Sequence, residues 1–312
     1  MLRTSFLAAI IAAVVINHSL FAQDANKPIA GIGPSGEIKK LHTGLQFTEG
    51  PAADGKGNVY FSDIPANKIY KLDSQGDLAA FLEPSGTTNG LMLNAKGNLV
   101  AASMEGRLIE IDIKTKKPTV LAEGYEGKRF NAPNDVVIDR DGGVYFTDPH
   151  FRAPMPLPQG VKAFYYYAPD GKVTRLGEVE NAPNGVILSP DEKTLYIIPS
   201  QQADMLAYPV EAPGKVGKSR VFCTLKQAAG ATAGGGDGLT IDTKGNLYIT
   251  SKLGLQVFSP EGKLLGIIAF PEQPANCTFG GPDNKTLYVT ARTSLYSVPM
   301  EAQGHVFPAG KR

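Results

Sequence analysis

Six side chains carrying oxygen donors recur in one register along the chain: Glu49, Asn89, Asn134, Asn184, Asp237 and Asn276. Five of them are followed at once by Gly or Asp, in Glu49-Gly50, Asn89-Gly90, Asn134-Asp135, Asn184-Gly185 and Asp237-Gly238. Glu49 and Asp237 are carboxylates and the rest are amides. Two carboxylates brought together in partly dry surroundings repel, and one must take up a proton unless a cation lies between them. Oxygen donors without His or Cys suit a hard divalent ion: Ca²⁺ first, then Mg²⁺ or Mn²⁺, with Zn²⁺ able to occupy such a site but not selected by it. Each Asn-Gly or Asp-Gly pair alone is an ordinary turn signal. Six in one register, with a Glu among them, favour a shared site.

The elements that must position these residues repeat with them. Each lies nine or ten residues before the second residue of a short, β-rich and mostly Tyr-centred run. The runs are Gly57-Asn58-Val59-Tyr60-Phe61-Ser62, Gly97-Asn98-Leu99-Val100-Ala101-Ala102, Gly142-Gly143-Val144-Tyr145-Phe146-Thr147, Lys193-Thr194-Leu195-Tyr196-Ile197-Ile198, Gly245-Asn246-Leu247-Tyr248-Ile249-Thr250 and Lys285-Thr286-Leu287-Tyr288-Val289-Thr290. Their second residues are 40, 45, 51, 52 and 40 positions apart. That period, built from short strands and Gly-containing turns, fits one four-stranded propeller blade per unit. The expected fold is all-β, a six-bladed β-propeller whose innermost strands start at the six polar residues and ring one mouth of the channel. The sixth unit runs out after Ser294 to Val298. Gly36 to His42 has the alternation to supply its missing fourth strand, so an N-terminal strand is expected to close the last blade and remove an open edge.

Composition agrees with this. The chain of 312 residues holds 35 Gly and 23 Pro, a turn-dense mixture that argues against a helical bundle. Hydrophobic residues at 42% exclude disorder. Lys plus Arg is 31 and Asp plus Glu is 30, with no basic cluster, so no nucleic-acid partner is expected. Two cysteines, Cys223 and Cys277, exclude a disulfide framework and a Cys-rich metal site. Their places in an outer and an innermost strand should hold them too far apart to pair. Met1 to Ala22 reads as an export signal, with Arg3, an unbroken apolar run from Phe6 to Ile16, and Ser19-Leu20-Phe21-Ala22 at the cut. The expectation is a single domain over 23–312, exported to the periplasm or secreted, with no membrane attachment after the leader is removed.

Several stretches closely resemble the gluconolactonase branch of the regucalcin-like family. They are Glu49-Gly50-Pro51, Asn131-Ala132-Pro133-Asn134-Asp135-Val136-Val137, Val144-Tyr145-Phe146-Thr147-Asp148-Pro149, Ala182-Pro183-Asn184-Gly185, Gly236-Asp237-Gly238-Leu239 and Thr290-Ala291-Arg292-Thr293-Ser294-Leu295-Tyr296. The resemblance implies a six-bladed propeller with one catalytic divalent cation, opening sugar lactones such as glucono-1,5-lactone. It implies Glu49, Asn184 and Asp237 as metal ligands, and Asn134 as a contact to metal, substrate or both. It also implies Asp237 as the base that activates water. Asn89 and Asn276 carry no family motif and are left to hydrogen-bond water or substrate. Two departures concern the substrate. Ala132-Pro133 stands where regucalcin has an Arg before the Asn-Asp pair. His150-Phe151-Arg152 stands where the branch commonly has Pro and an aromatic residue. Two further readings remain: an esterase or phosphotriesterase on the same site, and a non-catalytic calcium-binding propeller that binds a sugar or protein.

Loops between second and third strands should overhang the metal mouth. The longest, Pro149 to Pro158, holds four prolines and is expected to form a stiff lid whose residues Phe151 to Pro158 touch substrate. His150 within it is the candidate acid/base outside the ring, with an uninvolved loop histidine as the competing reading. Arg292 is placed to orient a substrate hydroxyl or carboxylate, unless a loop salt bridge consumes it. Gly234-Gly235-Gly236 lacks the Lys-Ser/Thr of a phosphate loop and reads as room for backbone before Asp237. There is no Gly-x-Ser-x-Gly elbow.

Overall fold

The computed structural model describes residues 27–230 and 234–308. The expected export signal, residues 1–22, lies outside the described residues. Six small antiparallel sheets are arranged as a six-bladed β-propeller, and no helix occurs among the described residues.

The first blade is Thr48–Ala53, Val59–Asp63, Lys68–Leu72 and Leu78–Leu82, hydrogen-bonded in that order from the channel outward. The second repeats it with Thr88–Leu93, Leu99–Ser103, Arg107–Ile111 and Pro118–Ala122. The third is Val136–Ile138, Val144–Asp148, Ala163–Tyr167 and Val173–Glu178. The fourth is Pro183–Leu188, Thr194–Pro199, Asp204–Ala212 and Arg220–Thr224, with the short Lys215–Val216 folded against its third strand. The fifth is Leu239–Ile241, Leu247–Ser251, Gly254–Phe258 and Leu264–Ile268. The Tyr-centred runs are the second strands throughout. Their side chains are almost wholly buried, because they lie between the channel strand and two neighbouring blades.

The sixth blade closes the ring as expected. Asn276–Gly280, Thr286–Ala291 and Ser294–Pro299 are completed by Lys39–His42 from the N-terminal region. Lys39 stands opposite Ser297 and Lys40 opposite Tyr296. The strand begins at Lys39 rather than Gly36. Lys40 Nζ donates to Glu272 Oε1 at 3.0 Å, tying the closing strand to the loop that enters the sixth blade. Cys223 and Cys277 are both free, on an outermost and an innermost strand.

The core lies between blades. Leu99, Ala101, Ile109 and Ile111 of the second blade pack with Tyr60, Ile69 and Phe81 of the first. With no Trp in the chain, Phe and Tyr fill the wider gaps. Phe130 and Phe146 meet edge to face at 5.1 Å, and Phe146 stacks on Tyr165 at 5.4 Å. In the first, second, third and fifth blades the turn from first to second strand is fixed by an Asp or Asn accepting main-chain N–H groups two and four residues on. Asp139, for example, takes Asp141 N at 3.0 Å and Gly143 N at 2.8 Å. These turns define one face of the propeller, and the starts of the innermost strands define the other.

Candidate metal centre and active-site mouth

All six residues of the repeated register sit at the start of, or just before, an innermost strand, and so at one mouth of the channel. In the first, second and fourth blades the ladder to the second strand slips where these residues lie, between Glu49 and Ala52, Thr88 and Leu91, and Pro183 and Val186. In the third and fifth blades the innermost strand begins only at Val136 and Leu239, two residues after Asn134 and Asp237. Irregular pairing of this kind re-aims a side chain from the face of a sheet toward its end.

The glycines that follow are needed for close approach between blades. A Cβ on Gly238 would lie 2.0 Å from Asn276 Cγ, and one on Gly90 would lie 2.4 Å from Asp135 Oδ1. The space is used for main-chain bonds around the ring. Gly90 N donates to Asn134 O at 2.7 Å, Gly185 N to Asp237 O at 3.0 Å, and Gly238 N to Ala275 O at 2.8 Å. Gly50 is the member of this set in the left-handed region, with φ 49°. The triple glycine before Asp237 does provide room: a Cβ on Gly235 would lie 2.0 Å from Pro199 O.

Hydroxyls on the second strands add a further set of clips. Ser62 Oγ donates to Asn89 O at 2.8 Å, Thr147 Oγ1 to Asn184 O at 2.6 Å, and Thr250 Oγ1 to Ala275 O at 2.7 Å. Each reaches from one blade to the channel strand of the next. Two buried carboxylates at the ends of second strands hold the segments that lead into the ring. Asp63 accepts Gln46 N and Phe47 N, each at 3.0 Å. Asp148 accepts Asn131 N at 2.9 Å and Ala132 N at 2.8 Å.

Among the side chains, Asn184 Nδ2 donates to Asp237 Oδ1 at 2.6 Å and to Ser200 Oγ at 2.9 Å. Glu49 Oε2 accepts Gly50 N at 3.0 Å, and the Asn276 side chain also bonds to Glu49. Asn276 Oδ1 takes Cys277 N at 2.8 Å, which orients its amide. Glu49, Asn89, Asn134, Asn184 and Asn276 are buried, while Asp237 keeps part of its surface open.

One acidic residue of this region carried no assigned role in the sequence. Asp135 stands where four of the other five positions have glycine, and its carboxylate is buried against Gly90. It accepts Val136 N at 3.0 Å and Val186 N at 3.3 Å, bridging the third and fourth blades. The available signal was the Asn-Asp pair itself, a charge in a register otherwise occupied by Gly and Cys. Burial pushes Asp135 up to about 7. Burial likewise raises Asp237 to about 6, against the pull of Asn184 and the Arg292 charge. Glu49 is raised well above the ordinary carboxylate range by burial and then by the negative charges of Asp237 and Asp135. Three carboxylates thus share one dry region without enough positive charge from the chain to ionise together.

This donor set fits a hard divalent cation. No group of three His, Cys, Asp or Glu side chains close enough to hold an ion is found among the described residues. The candidate set instead combines the Glu49 and Asp237 carboxylates with amide oxygens of Asn134 and Asn184. A cavity of about 730 Å³ lies on the other side of the ring, lined by Gly50, Asp135 and Asn276 above and by His305 and Phe307 below. Glu49, Asn89, Asn134, Asn184 and Asp237 do not line that cavity.

Over the mouth of the ring the lid behaves as a wall. Ile64, Met104 and Ala132 pack with Phe47, Phe151 and Ala153, so the third-blade lid leans across the second blade toward the first. His150 is half-buried with its ring 4.7 Å from that of Phe151, and its Nδ1 is buried without a hydrogen-bond partner. Burial, then the Lys162 charge, lowers its pKa and keeps it neutral. Arg292 lies at the Phe47 end of this cluster, with its guanidinium 5.2 Å from the centre of the Phe47 ring.

Residues 47–293 match the model of the SMP-30/gluconolactonase/LRE-like region. A gluconolactonase of Zymomonas mobilis is 31% identical over 293 residues, covering 86% of this chain and 82% of that protein. Regucalcin of Xenopus laevis is 28% identical over 251 residues, covering 78% and 82%. The solved structure of a Xanthomonas campestris gluconolactonase superimposes with a TM-score of 0.78 at 28% identity, covering 89% of this chain and 92% of that one. The matched region takes in all six residues of the ring and the second strands of all six blades, and the chain belongs to the SMP-30/gluconolactonase/LRE-like family.

Proposed function

We propose that this protein is a divalent-cation-dependent hydrolase that opens sugar lactones of the gluconolactone type. The reading is best supported by the placement of Glu49, Asn134, Asn184 and Asp237 at the starts of innermost strands around one mouth, an oxygen-only set of candidate donors with two carboxylates. Likeness to a gluconolactonase and to regucalcin supports a propeller hydrolase of lactonase or esterase type. Ca²⁺ is the preferred ion on the chemistry of the donors. When bound, such a cation would polarise the lactone carbonyl and steady the oxyanion that forms on it.

The chain's own groups then have distinct tasks. Asn184 engages Oδ1 of Asp237 and fixes the carboxylate, leaving Oδ2 to take a proton from the attacking water. A new bond forms from the water oxygen to the carbonyl carbon, the ring C–O bond breaks, and the proton passes to the leaving alkoxide. A bound cation would stabilise the ionised carboxylate, so Asp237 would be unprotonated and able to accept a proton at neutral pH. Asn134 and Asn89 present amides to substrate, Phe151 supplies an apolar contact, and His150, neutral and unpartnered, is the second candidate to carry a proton. Export, read from residues 1–22, belongs to the same proposal.

The test is hydrolysis of glucono-1,5-lactone by the chelator-stripped protein, reconstituted ion by ion. Activity that returns with Ca²⁺ or another hard divalent ion is the expected result. Full activity in excess chelator, or none with any ion on a panel of lactones and esters, overturns it.

A further inference from the structure

Arg292 is held in place without being neutralised. It lies just past the second strand of the sixth blade in the left-handed region, with φ 50°. Its carbonyl accepts Thr48 N at 2.8 Å and Thr48 Oγ1 at 3.2 Å, one residue from Glu49. Its guanidinium stacks over Phe47, and Nη2 donates to Gln273 Oε1, a neutral acceptor, at 2.9 Å. Arg107, Arg140 and Arg175 each pair with a Glu, whereas Arg292, like Arg129, Arg152 and Arg220, is in no ion pair among the described residues. Glu272, the acid bonded to the next residue, is already saturated. It accepts Thr293 N and Oγ1, Ser294 Oγ, Tyr296 OH and Lys40 Nζ. The loop salt bridge that competed for Arg292 in the sequence is therefore not formed there.

The mouth carries an apolar wall with a cation at its edge. Phe47, Phe151 and Ala153, backed by Ile64, Met104 and Ala132, make an apolar wall over the first three blades. Arg292 sits at the edge of that wall, over Phe47, and close enough to Asp237 for its charge to act on that carboxylate, so a lactone lying against Phe151 can turn a polar exocyclic substituent toward the guanidinium. The exposed guanidinium keeps most of its donor fork for whatever arrives, and that planar fork matches a carboxylate with two parallel bonds. A single hydroxyl would use one donor and leave the charge uncompensated.

We propose that Arg292 recognises a carboxylate on the substrate, so that carboxylate-bearing lactones, the lactones of sugar diacids, are preferred over neutral aldonolactones. This rests on the lactonase reading above. It is tested separately from turnover by calorimetric binding of the ring-opened acids to the full-length, metal-loaded protein. The probes are glucarate and gluconate, which differ by one carboxylate, with their own affinity for the metal ion titrated in parallel. Glucarate should bind at least tenfold tighter, and the preference should shrink as ionic strength rises. Arg292→Gln should abolish the preference, and Arg292→Lys, which keeps the charge but not the fork, should retain part of it. Equal affinities in the unaltered protein, or a preference that survives Arg292→Gln, overturn the proposal. Turnover of glucono-1,4-lactone and glucaro-1,4-lactone is read on the same samples. Hydrolysis of neither would sink the lactonase reading while leaving the binding comparison to decide the role of Arg292.

Discussion

Thr147 Oγ1 donates to the Asn184 carbonyl at 2.6 Å and accepts Asp135 N at 3.1 Å, so one hydroxyl fixes the main chain at the ring residue Asn184 and just after the ring residue Asn134, on different blades. The bonds are fully buried, and their loss leaves a carbonyl and an N–H without partners. Thr147→Val keeps the shape and removes the hydroxyl. It should cost about 1–3 kcal/mol in urea unfolding and also weaken binding of the divalent ion. Thr147→Ser should restore both. A valine variant that loses stability but titrates with metal as the unaltered protein does would show that the clip supports the fold and not the ring.

Asp237 and Glu49 should separate when each is made neutral. Asp237→Asn keeps an oxygen to face Asn184 and removes both charge and basicity. Metal should bind less tightly, and at saturating ion kcat should remain roughly 10²-fold or more below the original, the usual loss for a general base. Glu49→Gln should lose mainly ion affinity and recover most of its kcat in excess metal. Steady-state kinetics across a metal titration distinguish the two. Equal rescue of both would move the base to His150 or to metal-bound hydroxide.

The raised carboxylates give metal removal a definite pH signature. Unfolded Asp and Glu titrate near 4, whereas Asp237 is held at about 6, Asp135 at about 7 and Glu49 well above its ordinary value. Between those limits the folded, metal-free protein binds more protons than the unfolded chain. Its stability from these groups is therefore greatest at the acid end and falls as pH rises through 6 and 7. A bound cation stabilises the ionised forms and removes that slope. Urea midpoints in chelator should fall between pH 5 and pH 8, and much less so with saturating Ca²⁺. Arg292 opposes the effect at Asp237 alone, so raised salt should not abolish it. Parallel pH profiles with and without metal would contradict the convergence of these charges on an ion.

The blade register was legible because each unit repeats a buried Tyr-centred strand, and that strand must be second from the channel to be covered on both faces. The ring followed from the same count, since the channel strand precedes the buried one by a fixed turn. Asp135 was visible as half of an Asn-Asp pair, but its place against Gly90 and Val186 depends on how three blades meet. Asp63 and Asp148 were equally hidden. Each ends a strand that reads as apolar, and each acts on backbone some sixteen or seventeen residues earlier in the chain. The lid's proline content pointed to stiffness, yet its lean across the second blade is set by Phe151 finding Ile64 and Met104. Arg292 showed the same limit, because a salt bridge and an open cation look alike until the carboxylates around them are placed.

Closure of the ring offers the last test. Lys39–His42 supplies the outermost strand of the sixth blade, and Lys40 bonds to a Glu272 that also gathers Ser294 and Tyr296. Burial works against the Glu272 charge, but the donors from Ser294, Lys40 and Tyr296 outweigh it and hold the carboxyl at about 2. Because that pKa is depressed, the stabilisation is present above the ordinary Glu range and is lost as pH falls toward 2. Removing the chain through His42 strips the partner from Ser294–Pro299 and exposes an unpaired edge. The truncated protein should melt several degrees lower and aggregate at concentrations where the full chain stays dispersed. Glu272→Gln should reproduce a smaller loss at pH 7, with the strand still in place, and the two proteins should converge in stability at strongly acid pH. Light scattering and thermal unfolding measure both. A truncated protein that melts with the full chain and remains dispersed would mean that the propeller is closed by contacts other than this strand.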